Sequence, residues 1–177
     1  MMMILTGKKG CGKTSLINDL LLRHDVRVQG FLSLKEIHDN EVTGISLIIL
    51  PERRMFPMAT TSPIVTTEKT SRFYFYPRVI DLVNRHFCRA IKDLPFIFDE
   101  FGFLEMHQKG HFPIFEMLIK TRQKTLLVIR KTLAHDFVSS FCTDINYTIM
   151  EMGKSSEKLT SKRILDFLTE QSGQNHD

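Results

Sequence analysis

Residues 7 to 14 read Gly7-Lys8-Lys9-Gly10-Cys11-Gly12-Lys13-Thr14 and fit the spacing G-x-x-x-x-G-K-[ST] at every fixed position. The chemistry of that spacing is phosphate binding. Glycines let the backbone N–H groups turn inward, through conformations that a Cβ would obstruct. The inward N–H groups make an anion nest at the N-terminus of the helix that follows, where the helix dipole adds partial positive charge. Lys13 is expected to reach the β- and γ-phosphates as a partly solvated ligand. The Thr14 hydroxyl is expected to bind Mg²⁺, and Ser15 completes the set around the phosphates.

A second group of acids follows far along the chain. Phe96-Ile97-Phe98-Asp99-Glu100 is a short apolar run ending in two carboxylates, the Walker B pattern. An acid at the C-terminal end of a buried strand beside a phosphate loop can hold Mg²⁺, usually through water, which assigns Asp99 to the metal with Thr14. Glu100 alternates to the opposite side of the strand, where it can orient and deprotonate a water for attack on a γ-phosphate. Arg130 closes another apolar run, Thr125 to Ile129, and is the candidate for stabilising charge on the transferring phosphoryl group. Lys13, Glu100 and Arg130 are thus the candidate catalytic side chains. His107 and His111 stand four apart, but Gly110 argues against a helix through both. They are expected to be surface histidines in a loop from Gly102 to Gly110, not a zinc pair.

These residues need a parallel sheet to bring them together. Met2 to Leu5 forms an apolar strand before the phosphate loop, and Leu16, Ile17, Leu20 and Leu21 follow at helical spacing over about Lys13 to Arg23. Val26 to Leu34 and Ile45 to Leu50 read as a hairpin about Asp39-Asn40-Glu41. Residues 52 to 71 read as a loop with one short strand near Met55 to Thr60. Arg72 to Tyr76 reads as a strand. Pro77 then opens a helix with the stripe Val79, Ile80, Val83, Phe87, Ile91 and Leu94. Further helices are expected over Phe112 to Lys120, Ala134 to Phe141 and Ser161 to Thr169, and a strand over Asn146 to Met152. Alternating strands and helices imply an α/β fold, a mostly parallel doubly wound sheet with helices on both faces and an added antiparallel hairpin. Such sheets bind ligands at the C-terminal ends of their strands. A single domain is expected over residues 1–171, with 172–177 a polar, disordered tail.

Composition excludes little beyond extremes. Of 177 residues, 42% are apolar and 25% charged, which suits a soluble globular chain with one core. The net charge of +4 is spread along the chain, so nucleotide phosphate is a sufficient anionic partner and nucleic acid is not expected. Three scattered cysteines without C-x-x-C spacing argue for free thiols in a reducing compartment. The first strand leaves no room for a signal peptide, and no apolar run is long enough to span a bilayer. A cytoplasmic location is expected.

The phosphate loop, Gly30-Phe31, and the string Asp99-Glu100-Phe101-Gly102-Phe103-Leu104-Glu105-Met106 together resemble the nucleoside-triphosphatase family that includes the cancer-related nucleoside-triphosphatase. Its members carry Gly-Phe soon after the first helix and Asp-Glu-x-Gly-x-x-Glu after the acid strand. Arg72-Phe73, Lys109-Gly110-His111-Phe112 and Val128-Ile129-Arg130 look like its bacterial branch. The likeness covers about residues 1 to 152. It implies Mg²⁺-dependent hydrolysis of nucleoside triphosphates such as ATP and GTP to diphosphates, slowly and with loose choice of base. Two departures stand out: the hairpin reads Glu36-Ile37-His38 and Val42-Thr43-Gly44 where relatives often have Glu-Val-Arg and a basic residue, and a late Asn-Arg is absent.

Two other readings use the same loop. A nucleotide or small-molecule kinase would pass the phosphoryl group to an acceptor, but Arg53-Arg54 and Arg130-Lys131 are separated pairs and make no arginine-rich lid. A nucleotide-binding adaptor with negligible turnover is suggested by Lys8, at the signature position of some dimerising phosphate-loop proteins, although those have Gly where this chain has Lys9.

Overall fold

A computed structural model of the chain describes residues 1–89, 93–153 and 157–170. The expected tail at 172–177 and Ile91 of the expected stripe lie outside them. Among the described residues eight strands form one sheet: β1 (Met2–Thr6), β2 (Gln29–His38), β3 (Glu41–Leu50), β4 (Arg54–Thr60), β5 (Tyr74–Phe75), β6 (Phe96–Phe101), β7 (Thr125–Ile129) and β8 (Tyr147–Glu151). Their order is β5-β4-β3-β2-β6-β7-β1-β8. The five strands from β2 to β8 are parallel, and β3, β4 and β5 add antiparallel pairs at one edge. β7 and most of β6 are buried, which is why they read as unbroken apolar runs: strands covered on both faces have no solvent side to mark.

The helices of the described residues are α1 (Lys13–Arg23), α2 (Pro77–Arg89), α3 (Phe103–Met106), α4 (Phe112–Lys120), α5 (Lys131–Phe141) and α6 (Glu157–Thr169). Strand alternation sorts neighbouring residues between the two faces. Leu5, Leu32, Ile97, Leu126 and Val128 pack with Leu16, Ile17 and Leu20 of α1 and Ile164 and Phe167 of α6. Ile4, Phe31, Phe98 and Leu127 face the other way, toward α2, α4 and α5. The abundant phenylalanines have a place here. Phe31, Phe87, Phe96 and Phe98 stack within 6.2 Å of one another's centroids in a chain of contacts. Phe98 passes the contact on to Phe101, which meets Phe115 and Phe137 at 4.8 Å.

Gly30 shows why Gly precedes Phe31. Its φ is +118°, and a Cβ there would lie 2.1 Å from the Ile97 carbonyl oxygen. No side chain fits between β2 and β6 at that point, and the tight approach seats Phe31 and Leu32 on opposite faces.

Several expectations change in extent. The β2–β3 hairpin is longer than its apolar runs, because His38 and Glu41 pair across a two-residue turn of Asp39 and Asn40. Both turn residues have positive φ, 49° and 63°, as a tight hairpin turn requires. The extension was illegible because the outer half of β2 is exposed on both faces. The strand expected over Arg72 to Tyr76 shrinks to β5. The loop expected over Gly102 to Gly110 contains α3, a single turn tied by the Glu105 carboxylate, which accepts from the Gly102 and His111 backbone N–H groups, each at 3.0 Å.

Candidate active site

The phosphate loop joins β1 to α1. Gly12 caps α1 in a left-handed conformation, φ +88°, and Gly10 also has positive φ, +78°. Lys13 is 9% exposed, so it is buried and not partly solvated as expected. Its Nζ donates to the carbonyls of Gly7 (3.2 Å) and Lys8 (3.1 Å) and lies 3.6 Å from Cys11 Sγ. The ammonium thus holds the loop's own carbonyls. Lys8, Lys9, Gly10 and Ser15 are solvent-exposed, while Gly7 is buried.

The order of strands assembles the rest. β7 lies between β1 and β6. Whatever follows β7 therefore lands between the phosphate loop and the acids, and that residue is Arg130. The loop, Asp99, Glu100 and Arg130 line one cavity of about 350 Å³ at the C-terminal ends of the parallel strands, together with Lys9, Ser33 and Lys35.

Asp99 is 1% exposed. Its Oδ2 accepts from Thr14 Oγ1 (2.8 Å) and from the Ser33 backbone N–H (2.9 Å). Its Oδ1 is buried without a partner. Burial pushes this carboxyl up to about 7, against the opposing pull of the Ser33 N–H. A buried carboxylate with a bare oxygen, bonded to a threonine hydroxyl, is a donor set that suits Mg²⁺, which binds through one or two carboxylates and keeps water and phosphate as its other ligands. Among the described residues no three His, Cys, Asp or Glu side chains cluster as a ready-made cage.

Glu100 does not simply alternate across the strand. The β6–β7 register shifts between Phe98 and Phe101, and Glu100 has φ +69°. A bulky residue with positive φ is a local outlier that its surroundings must hold in place. Its Oε1 forms an ion pair with Arg130 Nη2. The expected water-orienting acid and the expected phosphate-facing arginine therefore hold each other here.

Three residues at the site were not singled out for it from sequence. Ser33 binds Asp99 twice, through its N–H and by donating Oγ to the Asp99 carbonyl at 3.1 Å; a serine inside the buried half of β2 was the available signal. Glu105 is buried, and burial pushes it up to about 7. His111 corrects the surface reading: it is 4% exposed, and burial holds its imidazole down to about 4. His107 is exposed, as expected.

These shifts predict a pH dependence. A carboxyl raised to about 7 makes the folded state bind more protons than the unfolded state, so stability falls as pH rises from about 4 to 7. His111, depressed to about 4, acts in the opposite sense and favours the fold as pH rises toward about 6.5. Two carboxyls outweigh one imidazole, so the thermal midpoint of the ligand-free protein should decline from pH 5 to pH 8. Asp99→Asn should flatten the decline. Melting curves across that range check it, and an equal slope in the variant would remove Asp99 as its source.

A glycine-rich loop capping a helix, beside a buried acid on a parallel strand of the same sheet, defines a phosphate-loop nucleotide-binding protein of the α/β class. The chain belongs to the NTPase family, whose model matches residues 2–165, and hydrolysis of nucleoside triphosphates is typical of that family. Among solved structures it is similar to THEP1 from the hyperthermophile Aquifex aeolicus, at 17% identity with a TM-score of 0.66, over 96% of this chain and all of that one. It is equally similar to a human cancer-related nucleoside triphosphatase, at 17% identity with a TM-score of 0.66, over 95% of this chain and 97% of that one. At that identity the likeness is one of fold. No curated protein is matched by sequence.

Proposed function

We propose that the chain is a Mg²⁺-dependent nucleoside triphosphate hydrolase of low base selectivity, of the bacterial branch, with Glu100 activating the attacking water. The observation that carries the reading is the convergence of Lys13, Thr14, Asp99, Glu100 and Arg130 on one cavity at the strand ends. Gly7 through Ser15 bind the triphosphate. Lys13 leaves the carbonyls of Gly7 and Lys8 for the β- and γ-phosphates, exchanging weak neutral acceptors for charged ones. Thr14 and Asp99 would hold Mg²⁺, which would supply positive charge to offset that of the phosphates.

The Glu100–Arg130 pair gives the site a resting state. An incoming γ-phosphate competes for the guanidinium, and Arg130 is only part-buried, so the pair is cheap to open. Once Arg130 turns to phosphate, the Glu100 carboxylate is free to accept a proton from water. Water oxygen then bonds to the γ-phosphorus, the bond to the bridging oxygen breaks, and diphosphate and inorganic phosphate leave.

The same reading takes residues 1–171 as one domain in the cytoplasm. Cys11, Cys88 and Cys142 are free thiols, and among the described residues no helix is long and apolar enough to cross a membrane. Among the described residues, Asp99 and Glu100 are the acids that line the cavity around the loop, and neither is placed to read a base. Phosphate release from ATP, GTP, CTP and UTP should therefore agree within about tenfold, a difference of ~1.4 kcal/mol. A hundredfold preference for one base would refute the low selectivity.

A further inference from the structure

A second cavity, of about 520 Å³, opens beside the first, and Lys9, Ser33, Lys35, Asp99, Glu100 and Arg130 line both. Its lining runs from Lys9 past the acids to the antiparallel edge, α2, α3 and the Gly110-His111 turn. Attack by water needs room for a molecule occupying about 30 Å³. This cavity is more than ten times larger and falls in the range of small-molecule sites. Its walls have the composition of such sites too: Phe31, Phe73, Phe75, Ile45, Met58 and Ile80 supply apolar and aromatic surface. The segment between β4 and β5 forms part of the wall through Thr70, Ser71, Arg72 and Phe73.

The polar group that the first site does not use is His111, which lines this cavity and not the other. Asn84 fixes its tautomer. The Asn84 amide donates to the Gly110 carbonyl at 2.9 Å, so its Oδ1 is the acceptor that faces His111 Nδ1, also at 2.9 Å. Nδ1 must then carry the proton, and Nε2 is left with a bare lone pair. That atom is buried and has no partner. A buried acceptor without a donor costs free energy that a bound O–H or N–H would recover. The ring also stands 5.0 Å from that of Phe31, so a ligand reaching it meets an aromatic wall as well.

We propose that this cavity is a phosphoryl-acceptor site, and that the chain passes the γ-phosphoryl group to a hydroxyl of a small aromatic or heteroaromatic alcohol whose own O–H or N–H donor bonds His111 Nε2. The proposal rests on the triphosphate site proposed above and replaces water by an alcohol at the same acids. The acceptor oxygen forms a bond to the γ-phosphorus, the bond to the bridging oxygen breaks, nucleoside diphosphate leaves, and the hydroxyl proton passes to the Glu100 carboxylate. Hydrolysis and transfer then share the same acids, with water or the alcohol as the acceptor. His111 is a positioning residue for that acceptor.

The test uses the full chain with Mg²⁺, ATP and four probes of this class: pyridoxine, thymidine, adenosine and tyrosol. Mass spectrometry should find the phosphomonoester of at least one probe, formed at the expense of inorganic phosphate. Val42→Trp, at the half-buried rim of the cavity, should lower transfer at least tenfold and leave phosphate release within twofold. His111→Gln should raise the acceptor KM about tenfold with little change in hydrolysis, the loss of one well-placed hydrogen bond. Absence of any phosphomonoester and of any thermal shift with all four probes, while ATP is hydrolysed, overturns the proposal. So does Val42→Trp raising the KM for ATP, which would give the cavity to the nucleotide's own base. Failure to bind a non-hydrolysable ATP analogue would overturn the triphosphate reading itself, and that binding measurement separates the two failures.

Discussion

Glu100→Gln should lower triphosphate turnover by about 10² or more, the usual worth of a positioned general base, while nucleotide and Mg²⁺ affinity change little. The amide keeps the size of the carboxylate and its ability to accept from Arg130, but cannot take a proton from water. Loss of the ion pair should barely alter stability, because both side chains are substantially exposed and such pairs are worth ~1 kcal/mol or less. The effect is thus confined to the chemical step. Asp99→Asn should fail differently, by raising the Mg²⁺ requirement, since Asp99 shares its Oδ2 with Thr14 and has a bare Oδ1. Paired measurements of triphosphate affinity and single-turnover hydrolysis distinguish these cases. Equal hydrolysis in wild type and Glu100→Gln would take Glu100 out of the mechanism. A matching loss of binding would make it a metal or structural group.

Lys13→Ala should reduce kcat/KM by about 10³, at the upper end of what one preorganised donor contributes to a developing anion. Lys13 Nζ neighbours the carbonyls of Gly7 and Lys8 and the Cys11 thiol. Its removal leaves the carbonyls of Gly7 and Lys8 without that donor. The Lys8 end of this arrangement is at the surface, where water can replace the ammonium, so the fold should survive. Circular dichroism melting alongside the kinetic assay checks both halves. Normal hydrolysis in Lys13→Ala would refute the phosphate-loop reading, whereas an unfolded variant would make Lys13 a structural residue first.

Local sequence determined the parts of this protein whose physics is local. Glycine spacing fixes the left-handed turns of the phosphate loop, because only residues without Cβ take them cheaply. The start of α1 follows from Lys13 and the apolar stripe behind it. The strands β6 and β7 were readable because both of their faces are buried, and an unbroken apolar run needs no partner to be recognised. Asp99, Glu100 and Arg130 could be assigned to strand ends for the same reason. The outer hairpin was read short, since exposed strands held by backbone pairing leave no apolar signature.

Tertiary structure decided what depends on which elements become neighbours. Nothing in the run Thr125 to Ile129 says that β7 inserts between β1 and β6, yet that order alone brings Arg130 to Glu100. The shift in register after Phe98, with the positive φ of Glu100, is a property of strand pairing and not of the acid string. His111 looked like a surface residue because it follows a stretch expected to be loop, ending at Gly110. Its burial comes from Asn84 on α2, Phe31 on β2 and the Glu105 carboxylate, three groups from separate elements. The larger cavity likewise has walls from β2, β3, β4, β5, α2 and α3. A concave surface built from so many elements has no sequence signal, because its shape is set by side chains that meet only after the sheet has closed over its helices.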